Sequence, residues 1–376
     1  MHSVTDEPQP GADPGALADR VEAIRRAHLP DSRVGVWDVA VEENGRPRVI
    51  GWTTAAGAID ELRRAAREAG AEAVIAALPD PTLGAAILGT AHRALAHVRR
   101  EPRHGSELVS QVVLGEEVVC LRSRDDWLQV QCADGYTGWV HRGSLVRSAP
   151  REERAALGAR LAAGQPPEGT LVLIARSPVA RAGPAPDAPP ACDLVHGARV
   201  LTAGETEGGA IPVLLPDGLV GWIDAGAAVP WESLPDRFPP TGEAILAHAA
   251  LFLGVPYLWG GASEKGYDCS GIVQRIYGLH GIMLPRDSDQ QEAAGEPVTP
   301  GDDWSAVQDG DLAFFHDSPG GRATHVGILA RGGRLLHAST TRNGVAWDAL
   351  APADPDRSEF GALLASRLSA VRRVLA

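Results

Sequence analysis

Asp268-Cys269-Ser270-Gly271 decides how this chain is read, because it sets a cysteine at the predicted start of a helix, just after the glycine-rich aromatic stretch Tyr257-Leu258-Trp259-Gly260-Gly261. The positive end of a helix dipole and the unpaired N–H groups of its first turn stabilise a thiolate, the species that attacks carbonyls. Cys269 is therefore the candidate nucleophile. Downstream, Thr324-His325-Val326-Gly327 and Leu336-His337-Ala338-Ser339 lie in short apolar runs that read as neighbouring strands. One histidine is available as base and the other as its orienter.

Outward from that stretch, a proline-rich linker at residues 231–240 precedes Thr241, the expected N-cap of a helix from about Glu243 to Leu253 that Gly254 ends. The Cys269 helix is expected to stop near His280-Gly281. Strands are predicted at Asp311 to Phe315, Thr324 to Leu329, Arg334 to Ala338 and Ala370 to Leu375. His280 and His316 have no motif context and are expected at turns or on the surface.

The preceding residues divide into smaller units. Residues 1–15 are rich in Pro, Asp and Gly and are expected to be disordered, and Ala16 to Ala27 has the spacing of a short amphipathic helix. Strands at Val34 to Val41 and Val49 to Trp52 flank an Asn44-Gly45 turn. Ile59, Leu62 and Ala66 sit at helical spacing, and Ala73 to Ala76 reads as a third strand, giving a small α+β domain over residues 16–91. Residues 92–148 and 169–230 both show short strands with frequent turns and look like repeats. Ala133-Asp134-Gly135-Tyr136-Thr137-Gly138-Trp139-Val140 matches Pro216-Asp217-Gly218-Leu219-Val220-Gly221-Trp222-Ile223. A helical linker (149–168, with Arg151 to Ala163 as its helix) separates them, and the last domain is 241–376. Since Leu219 stands where the first copy has Tyr136, the hairpin itself does not need the tyrosine.

At 376 residues the chain should hold two to four domains. Its net charge of −13, without a basic cluster, argues against a nucleic-acid partner. No apolar run reaches the roughly 18 residues of a membrane span. The start Met1-His2-Ser3-Val4-Thr5-Asp6 has no signal-peptide pattern, so a cytoplasmic location is expected. Cys120, Cys132, Cys192 and Cys269 show neither metal spacing nor a disulfide framework, and no metal or cofactor is expected.

Residues 250–340 resemble the NlpC/P60 family of cysteine peptidases through Val255-Pro256-Tyr257-Leu258-Trp259-Gly260-Gly261, Asp268-Cys269-Ser270-Gly271, Leu284-Pro285-Arg286-Asp287-Ser288, Gly310-Asp311-Leu312-Ala313-Phe314-Phe315, His325-Val326-Gly327-Ile328 and His337-Ala338-Ser339, in the family's order. The two repeats resemble bacterial SH3 (SH3b) domains. The resemblance implies a multidomain α+β chain: a papain-like catalytic domain preceded by two SH3-like β-barrels and the small N-terminal domain. With two SH3b domains it looks like the γ-D-glutamyl-L-diamino acid endopeptidases, which act on peptidoglycan stem peptides.

The resemblance then implies Cys269 as nucleophile, His325 as base and His337 as orienter, with the Cys269 N–H and the Tyr257 hydroxyl holding the oxyanion. Trp259 would line the pocket. Asp268 would receive the substrate amine, Ser270, Arg286 and Ser288 would lie near its carboxylate, Asp287 would form a further polar wall, and Tyr136 with Glu107 of the first SH3b domain would cap the amine. Glu101 lies on the same entry strand as Glu107. The expected activity is hydrolysis of the γ-D-Glu to diamino acid bond (meso-diaminopimelate or lysine) in stem peptides with free N-terminal L-Ala, in murein peptide recycling. The rival readings are an exported autolysin or lysin whose SH3b domains bind wall, a non-catalytic peptidoglycan-fragment binder, and an amide or acyl transferase.

Overall fold

The computed structural model describes residues 14–43, 46–149, 166–318 and 320–375. The expected turn at Asn44-Gly45, the expected connecting helix from Arg151 to Ala163 and the first thirteen residues lie outside that set. Leu17, Val21 and Ile24 recur at helical spacing on Pro14–His28, as Leu62, Ala65 and Ala66 do on Ile59–Glu68, and each helix buries that stripe in one shared core. Strand Trp37–Glu42 pairs antiparallel with Arg48–Thr53. The latter pairs parallel with Glu72–Ala77, and helix Ile59–Glu68 supplies the crossover such a pairing requires.

The first β-module starts earlier than expected. Leu88–Ala91 pairs with Leu145–Ser148 and, through Leu88 to Thr90, with Val119 to Glu117, so it belongs to a seven-stranded sheet and not to the N-terminal unit. A second seven-stranded sheet runs from Thr170–Leu173 to Ala228–Pro230. The repeated segments form the same hairpin in both: Gln131 faces Thr137 in the first, and Leu214 faces Val220 in the second. The modules are packed on each other, since Val113 and Leu114 of the first lie in the core of the second and Arg199 N–H donates to the Leu114 carbonyl at 2.9 Å. The proline-rich linker is more ordered than its composition suggests, with short helical turns at Trp231–Ser233 and Leu234–Arg237. Pro235 stands in the first turn of Leu234–Arg237, where its missing N–H costs nothing.

In the C-terminal domain Thr241 caps helix Gly242–Ala250, its Oγ1 accepting from Ala244 N–H at 3.3 Å. Helix Cys269–Leu279 buries Ile272, Val273, Ile276 and Tyr277 in one core with Phe314, Val326, Ile328 and Leu336. The sheet has six strands in the order Glu296–Val298, Leu368–Arg373, Asp311–His316, Ala323–Ala330, Arg334–Ser339, Gly344–Ala349, antiparallel throughout. Two of these strands, Glu296–Val298 and Gly344–Ala349, and helix Glu359–Ser366 are additional to the elements expected from the sequence. No helix among the described residues is long and apolar enough to cross a membrane.

Candidate active site

Cys269 is the first residue of its helix, and Asp268, in extended conformation, is the N-cap, accepting from Gly271 N–H at 2.6 Å. The sulfur is almost buried, and the backbone N–H groups of Val326 and Ser270 lie against it. Val326 follows His325, which brings the imidazole strand to the thiol. His325 Nε2 is 2.6 Å from His337 Nδ1, and His337 Nε2 is 3.0 Å from Asp348 Oδ2. Gly327 makes room for this line: a Cβ there would come within 2.9 Å of the His337 Cβ and 2.6 Å of Leu335 Cδ1.

The electrostatics differ from the expected thiolate. Burial first, then the Asp268 charge, push the Cys269 thiol up to about 12, against the opposing pull of the Val326 and Ser270 N–H groups and Arg286. Burial, and then His337, hold His325 down at about 3, with Asp348 opposing. Cys269 thus rests as a neutral thiol and His325 as a neutral imidazole. Burial raises Asp348 as well, yet its bonds from His337 and Arg342 outweigh that and keep it at about 2, a carboxylate. Burial first, and the Asp268 charge after it, push the Tyr257 hydroxyl up.

Asp268 and Arg286 are committed to each other, which corrects the roles expected for them. Arg286 is 1% exposed; its Nη1 and Nη2 donate to the two carboxylate oxygens of Asp268 at 3.0 and 2.6 Å, Nη1 also to Ser270 Oγ at 2.9 Å, and Nε to Ser110 Oγ of the first β-module at 3.2 Å. Asp268 Oδ2 also accepts from Gly260 N–H at 3.0 Å. A carboxylate so filled is a cap and a counter-ion, not an open amine acceptor, and a guanidinium so filled is no carboxylate clamp. Ser288 Oγ donates to the Ala323 carbonyl at 2.9 Å.

The first β-module packs on the catalytic domain around the segments that carry Trp259, Arg286 and Asp287. Tyr136 Oη donates to Asp287 Oδ2 at 3.1 Å, and Trp259 Nε1 donates to Glu107 Oε1 at 2.9 Å. Glu101 instead pairs with Arg103. The counterpart of the buried Tyr136, Leu219, is 57% exposed. Gly260 lets the two domains approach: its φ is +73°, and a Cβ would lie 2.2 Å from the Leu108 carbonyl oxygen. Trp259 stays 63% exposed at the rim. His280 is not a surface residue: it is buried, with Nδ1 on the Pro239 carbonyl at 2.7 Å and Nε2 on His248 Nδ1 at 3.1 Å.

Sequence reasoning missed Asp348, Ser110 and Arg33, the last donating to Asp287 Oδ2 at 2.9 Å. Asp348 carried a signal, being the lone charge in the apolar run Val345-Ala346-Trp347-Asp348-Ala349-Leu350. Among the described residues no group of three or more His, Cys, Asp or Glu is arranged to hold a metal ion. A separate cleft of about 550 Å³ between the two β-modules and the far side of the Cys269 helix, lined by Glu116, Arg199, Trp231, Arg275 and Met283, includes none of Cys269, His325 and His337.

Comparison with known proteins gives two family matches: the NlpC/P60 family over residues 254–358 and the bacterial dipeptidyl-peptidase Sh3 domain over residues 98–145. The chain is 27% identical over 251 residues to a γ-D-glutamyl-L-lysine dipeptidyl-peptidase of Bacillus cereus, which spans 64% of this chain and 70% of that protein. It is 44% identical over 106 residues to the Bacillus subtilis protein of that name, covering 28% of this chain and 34% of the relative. A probable endopeptidase of Haemophilus influenzae is 39% identical over 116 residues, 29% of this chain and 69% of its own length. The fold is similar to the crystal structure of an NlpC/P60 family protein from Bacillus cereus, with a TM-score of 0.60 at 22% identity, covering 77% of this chain and all of that one.

Proposed function

Because this chain belongs to the NlpC/P60 family of cysteine peptidases, we propose that it hydrolyses the γ-D-Glu to L-diamino acid bond of peptidoglycan stem peptides whose N-terminal L-Ala is free. The observation that carries this reading is the pairing of Tyr136 with Asp287: a hydroxyl from the first β-module meets a carboxylate of the catalytic domain and walls off one end of the cleft. Asp287, Tyr136 and Glu107 are the groups that would receive the free ammonium, in place of Asp268. A muramic acid substituent on that alanine would meet the wall. The names of the two Bacillus relatives support both the bond and the release of a dipeptide.

In the proposed reaction the Cys269 proton passes to His325 Nδ1 as sulfur attacks the γ-carbonyl of D-Glu. The Cys269 N–H and the Tyr257 hydroxyl hold the oxyanion. His325 then gives that proton to the leaving amine of the diamino acid, the C–N bond breaks, and a thioester remains. Water, losing a proton to His325, attacks the thioester, the C–S bond breaks to free L-Ala-γ-D-Glu, and His325 returns that proton to the Cys269 sulfur. Ser270 and Ser288 would read the α-carboxylate of D-Glu by turning their hydroxyls from Asp268 and the Ala323 carbonyl, and Trp259, bonded to Glu107, would line the pocket at the amine end.

The second seven-stranded sheet we read as a second SH3 domain, supported by its repeated hairpin. The proposed setting is cytoplasmic recycling of small muropeptides, since a cleft closed at the amine end suits fragments already freed from glycan. Incubating the protein with L-Ala-γ-D-Glu-meso-diaminopimelate and, separately, with purified sacculi tests this. Cleavage of the tripeptide with sacculi left intact is expected; soluble fragments released from sacculi would favour wall lysis instead.

A further inference from the structure

Arg33 lies between helix Pro14–His28 and strand Trp37–Glu42, in a unit with no expected chemical role. Its backbone is fixed to the hairpin that carries Tyr136: the Arg33 carbonyl accepts from Thr137 N–H at 2.7 Å and Thr137 Oγ1 at 3.1 Å, and the next carbonyl, Val34, accepts from Gln131 Nε2 at 3.0 Å. From that anchorage the guanidinium reaches the catalytic domain. Nη1 donates to Asp287 Oδ2 at 2.9 Å and Asp289 Oδ1 at 2.7 Å, and Nη2 donates to Asp289 Oδ2 at 2.9 Å. Its other face is held by Asp31, through Nε at 2.9 Å and Nη2 at 2.7 Å, and Asp31 in turn accepts from Gln290 Nε2 at 2.8 Å.

Asp287 Oδ2 is thus shared by Tyr136 and Arg33, and three modules meet on one oxygen. A guanidinium forked between Asp31 and Asp289 is rigid, so it holds Asp287 in one orientation as a loose ammonium would not. Arg33 and Arg322, the latter 3.7 Å from Asp289 Oδ2, face the three carboxylates Asp31, Asp287 and Asp289, so one negative charge of the cluster is left for a cationic ligand.

We propose that Arg33 is a positioning residue for specificity: it orients Asp287 to receive the substrate ammonium, so the N-terminal unit forms part of the amine subsite. The inference rests on the proposed reading of Asp287, Tyr136 and Glu107 as the amine end of the cleft. Arg33 touches neither Cys269 nor its histidines in this arrangement, so its loss should appear in KM and not in kcat.

The test is steady-state kinetics of the full chain, wild type, Arg33→Met, Arg33→Lys and Asp289→Asn, on the free tripeptide L-Ala-γ-D-Glu-meso-diaminopimelate and its N-acetyl form. For the free peptide Arg33→Met should raise KM about tenfold with kcat within about twofold. Its KM for the acetylated peptide should not change, so the preference falls, and Arg33→Lys should recover part of it. Asp289→Asn, which loosens Arg33 without touching Asp287, should shift KM the same way by less and keeps the test open if Arg33→Met folds poorly. A wild-type preference retained in full by Arg33→Met and Asp289→Asn, or equal losses on both peptides, would overturn the role of Arg33. A wild type that does not distinguish the peptides would instead overturn the reading of the amine end.

Discussion

His337 and Asp348 are hydrogen-bonded at 3.0 Å with side chains 0% and 1% exposed, and this contact sets the protonation order of the whole line. A carboxylate only accepts, so His337 Nε2 carries the proton and Nδ1 is left as acceptor. His325 Nε2 must then donate across the 2.6 Å contact, which leaves its Nδ1 lone pair as the base for the thiol. Asp348→Asn offers a donor on one side of its amide and breaks this order. It should lower kcat by about 10²-fold, less than the roughly 10⁴-fold seen when a direct orienter of the base is neutralised, with KM little changed. Steady-state kinetics check this; a kcat within twofold of wild type would remove Asp348 from the line.

The neutral resting pair predicts how Cys269 reacts without substrate. With the thiol near 12, its thiolate fraction falls tenfold for each unit of pH below that. Alkylation by iodoacetamide, followed by mass spectrometry, should therefore rise about tenfold per pH unit between pH 7 and 10 with no plateau. Fast labelling that is level from pH 5 upward would reveal a preformed thiolate–imidazolium pair.

Breaking the Asp268–Arg286 pair should cost stability before chemistry. Arg286→Met leaves a buried carboxylate without its guanidinium, and chemical denaturation should show a loss of about 3–5 kcal/mol. Asp268→Asn combined with Arg286→Met should recover part of that loss. A single variant as stable as wild type would mean that Asp268 finds its charge partner elsewhere.

Acid should loosen the joint between the second β-module and the catalytic domain. His196 Nε2 is 2.7 Å from His248 Nε2, and the His248 ring stacks on Phe238 at 4.3 Å. Burial holds His196 at about 4; burial, with the neighbouring His196 and His280, holds His248 at about 2. Both folded values lie below the unfolded value near 6.5, so the stability of the neutral rings is complete above that pH and is lost as pH falls below it, down to about 4 for His196 and about 2 for His248. The thermal midpoint should drop over that window, and His248→Gln should flatten the dependence by about 1.4 kcal/mol per pH unit. An unchanged slope would show that these histidines are not what acid titrates.

The helix start at Cys269, the Thr241 cap and the repeated hairpin were legible because each is fixed by local chemistry: a short polar acceptor before an apolar helix, or an Asp-Gly turn between alternating strands. Cys269, His325 and His337 stood out by residue type and order. Their resting charge states did not, because a thiol at a helix start reads as activated until the burial of its sulfur and the nearness of Asp268 are known. Asp268 and Arg286 looked like two binding groups because a sequence does not show that charges 18 residues apart satisfy each other inside the fold. Arg33 lies 254 residues from Asp287, and no local pattern announces a contact that depends on how three modules dock.

The most direct measurement is the ratio of kcat/KM for L-Ala-γ-D-Glu-meso-diaminopimelate to that for its N-acetyl derivative, with products identified by mass spectrometry and Cys269→Ala as control. The expected result is release of L-Ala-γ-D-Glu and the free diamino acid, a preference for the free amine of about 10²-fold or more, and no product with Cys269→Ala. Equal rates on both peptides, or products from Cys269→Ala, would contradict a cysteine peptidase whose cleft is closed around a free amino terminus.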